Sequence, residues 1–90
     1  MTGDATHHYR PFVLAELARW GIVPRPGTPP ATAYHLLKMI YAFEIREMKF
    51  RRRELERTLG PQPLDDYRRG LERLKAKYRV LKLASHEWVE

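Results

Sequence analysis

Two stripes of apolar residues dominate the pattern of this chain. In each stripe the apolar positions are separated mostly by three or four residues, which is the spacing of an amphipathic helix with a narrow buried seam. The pattern predicts two long helices, at about residues 29–59 and 63–84. The first stripe comprises Tyr34, Leu37, Tyr41, Ile45, Met48, Leu55 and Leu59, and the second comprises Leu64, Tyr67, Leu71, Leu74, Tyr78 and Leu81.

Prolines and glycines mark the ends of these helices. Thr28 is a suitable N-cap before Pro29 and Pro30, and Gly60-Pro61 is a strong stop signal. Because the connection to the last helix is short, we expect the two helices to fold back antiparallel. The two stripes then pair Leu59 with Leu64, Leu55 with Tyr67, Met48 with Leu74, and Tyr41 with Leu81.

Leu71 has no apolar partner in this register. It is expected to lie opposite Arg51 and Arg52, whose aliphatic stems would cover it while their charged ends stay in water. If the tail continues alongside the first long helix, Trp88 meets Tyr34.

The first 30 residues predict one further, shorter helix. Residues 1–10 are a polar arm, residues 11–20 fit a short helix, and residues 21–30 form a proline-rich connector. The first half of the long helix is apolar on several faces, so we expect the short helix to cover it. The predicted fold is all-α, with one domain over residues 1–90: a long antiparallel hairpin, the short helix packed on its open end, and a tail at 85–90.

Composition excludes several classes of function. The 90 residues contain 17 Lys and Arg against 11 Asp and Glu, which gives a net charge of +6, and they contain no cysteine. A disulfide framework, an iron–sulfur cluster and a cysteine nucleophile are therefore excluded. The apolar runs are far shorter than the roughly 20 residues that span a bilayer, so we expect a cytoplasmic protein without membrane insertion.

Catalytic motifs are missing from the sequence. Ser85 is the only serine, no glycine-rich phosphate loop occurs, and the Asp65-Asp66 pair is explained by its place at a helix start. His35, His86 and Glu87 would lie at one level of the hairpin, but their spacing matches no metal motif. We therefore expect no enzyme activity, no catalytic residues, no cofactor and no metal site.

The lead hypothesis is a small helical accessory or adaptor subunit that docks on a larger protein assembly or on further copies of itself. The long helix carries more apolar surface than a short helix can cover, and the remainder would bind the partner. The candidate partner-binding residues are Phe12, Trp20, Met39, Phe43, Phe50 and Trp88.

Nucleic-acid binding is the alternative hypothesis. Basic residues recur along both long helices and could neutralise the phosphates of RNA or DNA. Two observations weaken it. Charge pairs such as Glu47 with Arg51 are typical of a helix face that only contacts solvent. We also expect no aromatic side chains among the basic residues on which nucleic-acid bases could stack. The candidate residues are Arg46, Lys49, Arg53, Arg57, Arg68, Lys75 and Arg79.

Overall fold

The computed structural model describes residues 6–90, and it confirms the all-α prediction. Helix α1 spans Pro11–Ala18, α2 spans Pro30–Leu59 and α3 spans Leu64–Lys77. Two 3₁₀ helices follow, at Arg79–Lys82 and Ser85–Trp88. Within the described residues, β pairing is limited to one isolated antiparallel bridge between Tyr9 and Val89.

The helix ends agree with the local chemistry of the sequence. Pro11 and Pro30 begin α1 and α2, where a missing backbone N–H costs nothing. Gly21 (φ 73°) and Gly60 (φ 87°) adopt the left-handed conformation just beyond the two helices, which is the usual role of glycine there. The Gly60 N–H donates to the Glu56 carbonyl over 2.9 Å and closes the last turn of α2.

Contacts divide the chain into two compact units. The terminal unit comprises the residues up to Met39 together with Val80–Glu90, and the central unit comprises Ile40–Arg79. Helix α2 contributes its first ten residues to the terminal unit and the remaining residues to the central unit. One domain over residues 1–90 stays a prediction.

The terminal unit contains the best-buried core. Val13 and Leu17 from α1, Leu37 from α2, and Trp88 from the second 3₁₀ helix are completely shielded from solvent. The indole N–H of Trp88 donates to the Val80 carbonyl over 2.9 Å. The predicted contact between Tyr34 and Trp88 is confirmed, with ring centroids 5.3 Å apart.

Residues 7–10 form part of the terminal unit rather than a free polar arm. The Arg10 N–H donates to the Trp88 carbonyl over 2.9 Å, and the Glu90 N–H donates to the His8 carbonyl over 2.9 Å. The buried Tyr9 donates its hydroxyl to the Thr28 carbonyl over 2.7 Å. Residues 7–10 of the predicted polar arm are therefore held by hydrogen bonds within the terminal unit, while residues 1–5 of that arm lie outside the described residues.

The predicted end of the last helix is wrong. Helix α3 ends at Lys77, not near residue 84, although the heptad spacing continues. The chain continues as a 3₁₀ helix, in which the Val80 carbonyl accepts from the Trp88 indole and the Leu81 carbonyl accepts from the Tyr34 hydroxyl. The segment predicted as a tail instead forms the second 3₁₀ helix, in which the Glu87 carboxylate accepts the Ala84 N–H over 3.0 Å.

The central unit consists of residues 40–59 of α2, the connection at 60–63, and α3. The rings of Tyr41 and Tyr78 lie 5.0 Å apart, a contact that the predicted pairing of Tyr41 with Leu81 did not include. The Tyr78 hydroxyl donates to the Glu44 carboxylate, and the Lys77 ammonium lies 3.6 Å from the same carboxylate.

The predicted cover of Leu71 by the stems of Arg51 and Arg52 stays a prediction. The guanidinium of Arg52 lies over the ring of Tyr67, 4.9 Å from its centroid and one turn before Leu71, and it pairs with the Glu56 carboxylate over 2.7 Å. The ring face and the carboxylate both attract the cation. Met48 and Leu74, a predicted pair, line one groove between the helices, and Leu55 and Tyr67, another predicted pair, line a second.

A candidate binding face on the second helix

Four residues on the outer side of α2 form the candidate functional site. Phe43, Arg46, Phe50 and Arg53 follow one another at steps of three, four and three residues, which places them on one face of a helix. We call this set the Phe–Arg face. Both phenylalanines are 59% exposed, and both arginines are exposed.

The fold of the central unit explains why this face is uncovered. Tyr41, Ile45 and Met48 occupy the side of α2 that turns towards α3, and they are only half-exposed. A helix has further sides, and within this unit α3 covers just one of them. Phe43 and Phe50 lie outside that covered side, with Phe43 at the rim of the groove between α2 and α3, so much of each ring contacts solvent.

Charged residues line the two edges of the Phe–Arg face unequally. Lys49 follows one edge, whereas Glu47 and Glu54 follow the other. Glu54 forms an ion pair of 2.6 Å with Arg57. Among the described residues, Arg46, Lys49 and Arg53 take part in no ion pair and no side-chain hydrogen bond, so their charges are available to a ligand.

The predicted partner-binding residues are distributed over both units. Phe43 and Phe50 belong to the central unit, whereas Phe12, at 50% exposed, and Met39, at 57%, belong to the terminal unit. Trp20 is half-buried. Trp88 is completely buried, because its indole forms the centre of the terminal core, so its prediction as a surface contact is wrong.

The predicted nucleic-acid-binding residues are all exposed. Arg46, Lys49, Arg53 and Arg57 lie on α2, Arg68 and Lys75 lie on α3, and Arg79 begins the first 3₁₀ helix. Lys75 lies 3.7 Å from the Glu72 carboxylate, so its charge is partly balanced.

Sequence reasoning missed that the two predicted sets share one surface. Phe43 and Phe50 alternate with Arg46 and Arg53, so aromatic side chains do interleave with basic ones, contrary to the expectation. The signal was present in the sequence as a second run of steps of three and four, offset from the buried stripe.

A groove lies between α2 and α3 within the central unit. It has a volume of about 490 Å³, and its apolar part is formed by Phe43, Met48 and Leu74. Gly70 lies at its wall, where an added Cβ would come within 2.8 Å of the Met48 methyl. Arg51, Arg73 and Lys77 also line the groove, together with Glu44 and Glu47.

Within residues 6–90, no group of three or more His, Asp or Glu side chains is arranged to hold a metal ion. None of the described helices combines the length and apolarity needed to cross a bilayer. Burial raises the pKa of the Tyr9 hydroxyl above its ordinary value of 10.0, and this group lies in the terminal unit.

Comparison of the chain with protein-family models, curated proteins and solved structures finds no match. The interpretation of the Phe–Arg face therefore depends on its own geometry and charge.

Proposed function

We propose that this protein is a non-enzymatic helical adaptor or accessory subunit that docks on another protein through the Phe–Arg face. The observation that carries the proposal is the exposure of Phe43 and Phe50, two turns apart on one helix and aligned with two unpaired arginines. Aromatic residues and arginine are the side chains most enriched at the centres of protein interfaces. The arrangement expected from the sequence, in which α2 and α3 form an antiparallel hairpin and α1 packs on its open end, is part of the same proposal.

Burial of the two phenylalanines would contribute part of the binding free energy of such an interface. Burying a phenylalanine side chain is worth about 1.5–3 kcal/mol relative to leaving it in water. Because α2 holds the backbone of both residues in place, binding would order only short side chains with few rotatable bonds. The entropic cost of ordering these side chains on binding is correspondingly low.

Nucleic-acid binding remains the second candidate function, and a specific observation favours it. Arg46, Lys49 and Arg53 are exposed without counter-charges, and Phe43 and Phe50 offer ring faces on which bases could stack. Glu47 opposes it, because this carboxylate lies along one edge of the face and would repel phosphates.

Photo-crosslinking from the face tests the proposal. A photoreactive phenylalanine analogue replaces Phe50 in the full chain, which is irradiated in extracts of its native source. A matched control carries the analogue at Ala76, an exposed position on α3. We expect a discrete protein adduct from position 50 that is absent from position 76. Adducts that disappear on nuclease treatment, or identical adducts from both positions, would contradict the proposal.

A further inference from the structure

We infer that the occupant of the Phe–Arg face is an amphipathic helix with carboxylates in its contact stripe, supplied by a different protein. This inference deepens the proposed function and rests on it. Its basis is the alternation of apolar and cationic side chains along a single helical stripe, together with the opposite charges on the two edges of that stripe.

The spacing of the four residues in the Phe–Arg face favours a helix as the bound partner. Phe43, Arg46, Phe50 and Arg53 fall at successive a and d positions of a heptad, the positions at which two packed helices contact each other. A helix lying along them would place an apolar side chain against each phenylalanine and a carboxylate against each arginine. The pairing of guanidinium with carboxylate is favoured because both groups are planar and can form two parallel hydrogen bonds.

Charge on the central unit selects an acidic occupant. Between residues 40 and 79 there are twelve Lys and Arg and seven Asp and Glu, so five of the six net positive charges lie in this unit. Arg46 and Arg53 would lie within the contact, where an unpaired charge is costly. Carboxylates on the occupant would remove that cost, and the positive field would accelerate association.

A second copy of this chain fits the face less well. A parallel copy would place Arg46 on Arg46 and Arg53 on Arg53, which is repulsive. An antiparallel copy would place each arginine on a phenylalanine ring and would supply no carboxylate in the stripe. Each copy also carries a net charge of +6, so their mutual repulsion opposes association.

Nucleic acid fits the edges of the face less well than a helix does. Its phosphates form a uniformly negative surface, whereas the face has Lys49 along one edge and Glu47 along the other, where Glu54 is already paired with Arg57. A protein helix can match both edges by carrying an acidic residue beside Lys49 and a basic residue beside Glu47. This asymmetry is the reason for preferring a protein helix.

Two labelled peptides test the inference against the full chain. Both are about three heptads long, with leucines opposite Phe43 and Phe50. The acidic peptide has glutamates opposite Arg46 and Arg53, and the reversed peptide has lysines there. Fluorescence polarisation measures their binding. We expect the acidic peptide to bind at least about tenfold more tightly than the reversed peptide, which corresponds to one pair of satisfied charges.

Two double variants complete the test. In R46E/R53E the preference should invert, so that the reversed peptide binds more tightly. In F43S/F50S both peptides should lose binding. All four positions are exposed, and the urea midpoint of each variant verifies that it folds.

The possible failures are distinguishable. If both peptides bind equally and both need the phenylalanines, the acidic occupant is wrong while the proposed protein-docking face survives. If neither peptide depends on the phenylalanines, both proposals fail. Self-association of the chain that F43S/F50S abolishes would overturn the inference in favour of a second copy. An RNA oligonucleotide that displaces the acidic peptide more effectively than unlabelled peptide would overturn it in favour of nucleic acid.

Discussion

The two units of this chain bury their apolar side chains to different degrees. In the terminal unit, Val13, Leu17, Leu37 and Trp88 are all 0% exposed. In the central unit the buried apolar side chains are Tyr78 and Leu74, at 2% and 8%, while Phe43, Phe50 and Leu59 are more than half exposed. The terminal unit gathers segments from three parts of the sequence around one core, whereas the central unit has two helices that can cover only one side of each other.

This difference separates two roles for apolar residues. The terminal unit buries part of its apolar residues in a core, although Phe12 and Met39 stay exposed on it, and it secures residues 7–10 and 87–90 by backbone hydrogen bonds. The central unit exposes aromatic side chains to water beside unpaired cations. This arrangement lowers the solubility of the chain and adds nothing to the core of the central unit. A protein partner bound at the Phe–Arg face, as proposed above, would cover these exposed aromatic side chains.

The largest expected effect is on the terminal core. Trp88→Ala removes the indole and its hydrogen bond to Val80, and it should cost about 3–5 kcal/mol of the free energy of unfolding. Phe50→Ala, the matched aromatic deletion on the Phe–Arg face, should change stability by less than about 0.5 kcal/mol. Urea denaturation of both variants measures the contrast, and equal losses would show that the two units do not differ in this way.

Within the central unit, Leu74 should matter more than Leu71. Leu74 is 8% exposed and Leu71 is half-buried, so Leu74→Ala should cost about 2–3 kcal/mol and Leu71→Ala about 1 kcal/mol. Thermal melts of the two variants compare them. A larger loss for Leu71→Ala would mean that the pairing of α2 with α3 differs from the one described.

Tyr9 gives the terminal unit a specific dependence on alkaline pH. Because burial raises its pKa above 10.0, the folded chain retains the hydroxyl proton at pH values where the unfolded chain releases it. Its contribution is therefore fully present below pH 10 and is lost as the pH rises further. Tyr9→Phe, which also removes the bond to Thr28, should cost about 1 kcal/mol at neutral pH.

The difference in unfolding free energy between wild type and Tyr9→Phe isolates the contribution of this hydroxyl from that of the other groups in the chain. Unfolding free energies measured at neutral pH and above pH 10 should show the difference shrinking. A difference that grows with pH would contradict the burial of a neutral hydroxyl.

Gly70→Ala should have the smallest effect. Alanine favours the helix by about 1 kcal/mol, but its Cβ would meet the Met48 methyl at 2.8 Å. That methyl is the end of a flexible side chain beside an open groove, so it can move, and we expect a net gain of about 0.5 kcal/mol. In a Met48→Ala background the gain should be larger. A net loss that persists in that background would show that backbone packing, not Met48, limits the site.

The features that the sequence predicts well are local. Pro30, Gly60 and Pro63 fix helix ends through their own backbone preferences, so α2 and the start of α3 lie within a residue of their predicted positions. The segment after α3 instead accepts hydrogen bonds from Tyr34 and Trp88, and Tyr34 is distant from it in sequence. Heptad spacing cannot reveal such tertiary contacts.

The candidate site was predictable in its parts and not as a whole. Phe43, Phe50, Arg46 and Arg53 were each identified, but as members of two competing hypotheses. Their spacing of three and four residues places them on one helix face, which the residue numbers alone show. What the sequence could not supply was their exposure, because that depends on which side of α2 turns towards α3.

A urea titration with and without the acidic peptide tests the central claim most directly, using wild type and F43S/F50S. Without peptide, the two chains should unfold within about 0.5 kcal/mol of each other, because these phenylalanines do not stabilise the fold. With peptide at about 100 times its dissociation constant, wild type should gain about 2.7 kcal/mol and the variant nothing. A variant that is already destabilised by more than about 2 kcal/mol without peptide would place the phenylalanines in the core. An equal gain for both chains would place the binding site elsewhere.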